Sequence, residues 1–122
     1  MAKWQNDLML DAALDYVAGS TFAVACSAQP ADYAGIAAVA LADVALAGGD
    51  FTKANGDSSG RKVTVAAKSG VTIDTSGTAT HVALHDGTTL RYVTTCASLA
   101  LTAGAGNTVN FPAWKIELAD AA

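Results

Sequence analysis

At 122 residues the chain has room for one domain and no second, and a domain of this length buries somewhat under about 70% of the surface its unfolded chain exposes. The apolar fraction is 52%, but much of it is alanine, whose methyl removes little area from water, so the core is thin and supplements such as a partner subunit, a disulfide or a metal need testing. The net charge of −4 comes from ten Asp and one Glu against seven Lys and Arg with no basic cluster; this balance, and aromatics not interleaved with cations, argue against a nucleic-acid partner.

In chain order, MAKWQN is a short arm over residues 1–6, and residues 7–18 read as the one credible helix. Asn6 or Asp7 can cap it, Leu10, Leu14 and Val17 recur at i, i+4 and i+7, and Gly19 stands where a left-handed C-terminal residue belongs. Asp7, Asp11 and Asp15 then share the other face, which reads as solvated and as favourable to the helix dipole near its start. Asp7 and Asp11 also fall where a signal peptide would carry its apolar run, and the longest apolar run elsewhere, Ile36 to Ala42, is too short to span a bilayer. Synthesis and folding in a cytosol, with no membrane partner, is the corresponding reading.

From Thr21 the pattern becomes short β-branched runs separated by Gly, Asn, Asp and Ser, as expected of an antiparallel body over residues 21–118. Phe22 to Ser27 is the first strand, ended by Gln29-Pro30. The run Ile36 to Ala47 is two-sided: alanine favours helix, while Val39 and Leu41, then Val44 and Leu46, alternate as in strands with a phase slip near Asp43. An extended, bulged pair of strands is the preferred reading. Further on, Val63-Thr64-Val65 leads to a turn at Ser69-Gly70, Val71-Thr72-Ile73 to a turn at Thr75-Ser76-Gly77, and Thr80 to His85 through Asp86-Gly87 to Leu90–Cys96. This reads as a meander. Trp114, Ile116 and Leu118 alternate with Lys115 and Glu117, so one face is buried and Trp114 reads as core. The fold class is mainly β: a single antiparallel β-sandwich or jelly-roll-like domain with a short N-terminal helix.

Candidate chemistry is sparse. Gly56-Asp57-Ser58-Ser59-Gly60 fits G-x-S-x-G, but a nucleophile elbow needs a helix after the serine, and Arg61 to Val65 is strand-like. Asn55-Gly56 and Gly60 supply turn geometry, and Asp57 and Ser58 bond their own backbone, so a turn accounts for every residue. His81 and His85 could share a zinc ion on a helix; on a strand they stand about 13 Å apart at roughly 3.3 Å per residue, beyond the reach of one ion. Asp50, Asn55 and Asp57 lack the spacing and bidentate glutamate of a calcium loop and read as solvated. Cys26 and Cys96 read as two buried thiols, with a disulfide open after release from the cell. No catalytic residue, cofactor or metal ligand is assigned. Trp4 has no periodic partner, so core packing and use as an interface anchor both fit it.

The segments LDAALDYVAG, VACSAQPADYA, GDFTKANGDSSGRKVTVAAKSG, GTATHVALHDGTTLRYVTT and LTAGAGNTVNFPAWKIELADAA together resemble small structural proteins of tailed bacteriophage virions, most of all capsid decoration, or cement, proteins. The resemblance spans nearly the whole chain and rests on general pattern. It implies a non-enzymatic β-sandwich subunit, assembled in a bacterial cytoplasm, that binds the major capsid protein outside the lattice as a homo-oligomer. Other virion roles, such as tail, fibre or head-spike subunit, and a glycan- or receptor-binding sandwich are the alternatives.

Overall fold

The structure, a computed structural model, describes residues 7–57 and 60–118. Its elements run α1 (Asp7–Ala18), β1 (Phe22–Cys26), α2 (Tyr33–Val39), β2 (Ala40–Ala45), β3 (Phe51–Asn55), β4 (Arg61–Val65), β5 (Lys68–Thr72), β6 (Gly77–His85), β7 (Leu90–Leu101), β8 (Thr108–Phe111) and β9 (Trp114–Leu118). The chain is mainly β and antiparallel, with a sandwich-like body and a helix near its N-terminus. Among the described residues no helix is long and apolar enough to cross a membrane.

One layer is the four-stranded sheet β2-β1-β6-β7; opposite it stand β3-β4-β9 and the pair β5-β8. Because side chains alternate faces along a strand, β1 and β6 feed two different clusters. Ala23, Ala25 and Leu84 point into the main core with Val63, Val65, Ile116, Val71 and Phe111 from the opposing strands. Val24, Cys26 and Ala83 point outward and are covered by Ile36 of α2. Large residues are few, so Leu14 and Leu84, at 1% and 0% exposed, carry much of the stabilisation, about 1.5–3 kcal/mol each by transfer from water.

Helix α1 occupies the expected span, and Leu10, Leu14 and Val17 are buried as their spacing requires. Two details differ. Gly19 is not left-handed; it matters because a Cβ there would stand 2.6 Å from Nη1 of Arg91, so the position demands a close approach rather than an unusual φ. The acidic face is not simply solvated, because α1 lies over β3 and β4: Asp11 accepts from Nε of Arg61 at 2.8 Å, and Asp15 pairs with Lys53.

The preferred reading of residues 36–47 is half corrected. Asp32 caps a helix there, its Oδ1 accepting from the Gly35 amide at 2.8 Å, and the alanine run propagates α2 until Ala40 turns extended. Only the second part is a strand, and its irregularity lies opposite Ala25/Cys26, at Leu41, rather than at Asp43. The meander is corrected as well. The β4–β5 connection changes layers, so β4 pairs with β3 and β9 while β5 pairs with β8. Ser69-Gly70 lies within β5 as an irregularity: Gly70 takes φ +69° and donates its amide to Oδ1 of Asn110 at 2.9 Å. The Asp86-Gly87 hairpin forms as expected, with Gly87 at φ +92°, and β7 runs on to Leu101 rather than stopping near Cys96.

Candidate functional site

Trp4, the residue singled out as an interface anchor, lies outside the described residues, as does Ser58. The loop that carries Ser58 joins β3 to β4: Asn55 pairs with Arg61, the Gly56 amide donates to the Gly60 carbonyl at 2.9 Å, and Gly60 takes φ +72°. A strand follows the loop, so the helix that an elbow requires is not there. Its carboxylate has other work. Asp57 pairs with Lys62 at 2.7 Å and with Lys115, while its own amide donates to Glu117.

The remaining candidate calcium oxygens also have partners within the chain, while Asn55, like Asp57, stays exposed as expected. Oδ2 of Asp50 accepts from the Ala47 amide at 2.8 Å and its other oxygen pairs with Lys68 at 3.0 Å; the amide first and the lysine second hold this carboxyl below its usual range. Oδ1 of Asn55 accepts from Nη1 of Arg61 at 2.8 Å. Among the described residues no group of three His, Cys, Asp or Glu is placed to share an ion.

His81 and His85 lie on one strand, β6, in different surroundings. His85 is 8% exposed, stacked on Phe22 with centroids 5.1 Å apart and met edge-on by Tyr33 at 5.1 Å. Its Nδ1 accepts from the Gly87 amide at 3.0 Å, which makes it part of the hairpin's scaffold. Burial lowers its pKa, against the smaller opposing pull of Asp43 and Asp86. His81 shares a 2.9 Å hydrogen bond with Oγ1 of Thr80.

The cysteines depart from the expectation of two buried thiols: Cys26 is buried and Cys96 exposed, and both are free. Cys26 belongs to the outer cluster under α2, whereas Cys96 lies with Val82 and Phe111 on the side of the main core, so the sheet stands between them. Burial, with Cys96 a lesser cause, pushes the Cys26 thiol up to about 11. Desolvation raises Cys96 as well.

An apolar groove lies between β7 and the β8–β9 segment. Two adjoining cavities of about 300 and 320 Å³ share Val82, Cys96, Phe111 and Pro112. Trp114 closes one end; it is half-buried against the core and stacks on Tyr92 with centroids 6.0 Å apart, as the alternation in β9 implied. Leu99 and Val109 line the other end. The groove opens where β7 departs from its neighbour: Ala79 faces Leu99 and His81 faces Thr95, so Cys96-Ala97-Ser98 stand opposite Thr80 alone. Sequence reasoning missed this surface. The available signal was the absence of any charged residue between Arg91 and Lys115.

No family model, curated protein or solved structure matches the chain.

Proposed function

We propose that this chain is a non-enzymatic structural subunit of a tailed-phage virion, which decorates the outer surface of the capsid by binding the major capsid protein and further copies of itself. The supporting observation is where the chain spends its polar and apolar groups. The carboxylates and cations described above are committed to one another and to backbone amides, whereas the groove between β7 and β8–β9 is apolar and open at the surface. That distribution suits adhesion to protein better than turnover of a substrate, because apolar surface drives association and an acid–base site would need a poised, accessible group. The net charge of −4 also keeps such a subunit from adhering to packaged nucleic acid.

Purified particles from the source cell test it. Mass spectrometry and cryo-microscopy should find the chain on the head at the copy number of a lattice position. Absence from the heads overturns the role, and a few copies at one vertex or on the tail would transfer it to a fibre or tail subunit.

A further inference from the structure

We propose that Tyr33 and the two cavities flanking it form a binding site for a neutral saccharide, with the tyrosine ring as platform for one face of the sugar and Asp32, Thr89 and His85 as hydrogen-bonding groups at its edges. Tyr33 is 38% exposed and stands between a cavity of about 440 Å³, lined also by Asp32, Thr89 and Leu90, and one of about 200 Å³, lined also by Ile36 and His85. The larger is within the size range of small-molecule sites. Neither shares a lining residue with the apolar groove.

The polar atoms around this ring have bonding capacity left, unlike the paired carboxylates of the helix and the β3–β4 loop. Oδ1 of Asp32 accepts from the Gly35 amide, while among the described residues Oδ2 has no hydrogen-bond partner and no cation pairs with the carboxylate. The Thr89 hydroxyl has no partner among them either. His85 adds a donor that is fixed in place, because its ring is 8% exposed and packed against Phe22 and Tyr33. Its Nδ1 accepts from the Gly87 amide, so the proton of the neutral ring sits on Nε2, which has no partner among the described residues. A donor held in so buried a ring calls for an acceptor supplied through the cavity.

Chemistry narrows the ligand. Asp32 lines the site, Asp43 and Asp86 both act on the His85 ring, and neither cavity is lined by Lys or Arg, so an anion is repelled. A metal ion finds no group of three ligands among the described residues. An organic cation is best held by several ring faces, and Tyr33 is the one exposed aromatic ring of the lining. An uncharged ring with a C–H face and hydroxyl groups uses every group present: its face lies on Tyr33, one hydroxyl donates to Asp32, and another accepts from Nε2 of His85.

The site goes beyond the virion role and is tested on the free protein. Glucose, galactose, mannose, N-acetylglucosamine and their disaccharides, titrated into isotope-labelled protein, should for at least one sugar shift the ring signals of Tyr33 and His85 together. Tyr33→Leu should weaken that binding by about tenfold or more. If that variant fails to fold, Asp32→Asn, which keeps a capping oxygen for α2, is read in its place and should weaken binding severalfold. Leu99→Ala, at a 52% exposed position on β7, should leave it unchanged. No response to any of these sugars up to its solubility limit, a site that answers to tetramethylammonium or inorganic phosphate and not to sugars, or sugar binding indifferent to the variant read overturns the proposal.

Discussion

Arg91 lies over the ring of Tyr16, 4.4 Å from its centroid, and donates from Nη1 to the Tyr16 backbone carbonyl at the end of α1. A cation there meets the negative end of the helix dipole and gives the Tyr16 carbonyl a charged donor beside the Gly19 amide, which reaches it at 3.3 Å. The guanidinium is held in place from the other side. Oδ2 of Asp86 accepts from Nε at 3.2 Å and from Nη2 at 2.9 Å, while Oδ1 accepts from the amides of Thr88 and Thr89 at 2.9 and 2.6 Å. One carboxylate thus ties the β6–β7 turn to the end of the first helix.

Replacing Arg91 by alanine should lower stability by about 1–3 kcal/mol, because the helix carbonyl and Oδ2 of Asp86 both lose a charged donor. Arg91→Lys should recover only part of it, since an ammonium lacks the planar fork that serves two acceptors. Urea unfolding midpoints measure both effects. Gly19→Ala should cost less in the Arg91→Ala background than alone, because the atom its Cβ would meet at 2.6 Å is then gone; equal costs would contradict the close approach.

The hairpin turn makes a second prediction. Gly87→Ala should destabilise by about 1–2 kcal/mol, since φ +92° is a conformation L side chains rarely adopt. Gly48→Ala serves as its control. Gly48 has no positive φ and nothing within 4 Å of a built Cβ, so its replacement should leave the thermal midpoint within error or slightly higher.

A third concerns pH. Burial keeps the folded-state pKa of His85 below its ordinary value of 6.5, so below that value the unfolded chain binds more protons at this site than the folded one. The stability contributed by neutral His85 is complete above about pH 6.5 and falls as pH drops toward the depressed folded value. Asp43 has the opposite sign. Burial first, and then hydrogen bonding to Asp74, raise its carboxyl, so its contribution is present at low pH and lost as pH rises through the raised value. His85→Phe, in contact with Phe22 and Tyr33, should flatten or reverse the loss of stability between pH 7 and 5. A wild-type slope of unchanged sign and size in that variant would exclude His85 as its source.

The thiols supply a fourth. At pH 8 a maleimide should label Cys96 in the folded protein and leave Cys26 unmodified, because Cys26 is 0% exposed and its thiol is pushed up to about 11. Mass analysis should show one adduct under native conditions and two in urea. A non-reducing mass lower by two hydrogens would instead show an intramolecular bond and contradict the placement of the thiols on either side of the sheet.

Much of the fold is legible where one periodicity dominates. Leu10, Leu14 and Val17 mark α1, Trp114, Ile116 and Leu118 mark β9, and Asp86-Gly87 marks its hairpin, because each signal depends on neighbours a few residues away. Residues 33–45 were harder: alanine suits either element, and the decision came from the Asp32 cap together with Ile36 covering Val24 and Ala83. The candidate site was less legible still. Trp4 carried the only interface assignment and lies outside the described residues, while the groove is made by side chains from β1, β6, β7, β8 and β9 that no local pattern associates.

By itself, then, the sequence determined the β-rich class, the N-terminal helix, the strand that begins at Arg61 and an acidic balance of charge, because propensity, alternation and charge are properties of short stretches. Tertiary structure alone decided that β4 joins β9 while β5 joins β8, that Arg91 closes α1, that Cys26 and Cys96 face opposite ways, and that β7 opens an apolar groove. Those outcomes depend on contacts between distant segments, where the partner of a strand is chosen by the packing of whole layers and leaves no signature within the strand itself.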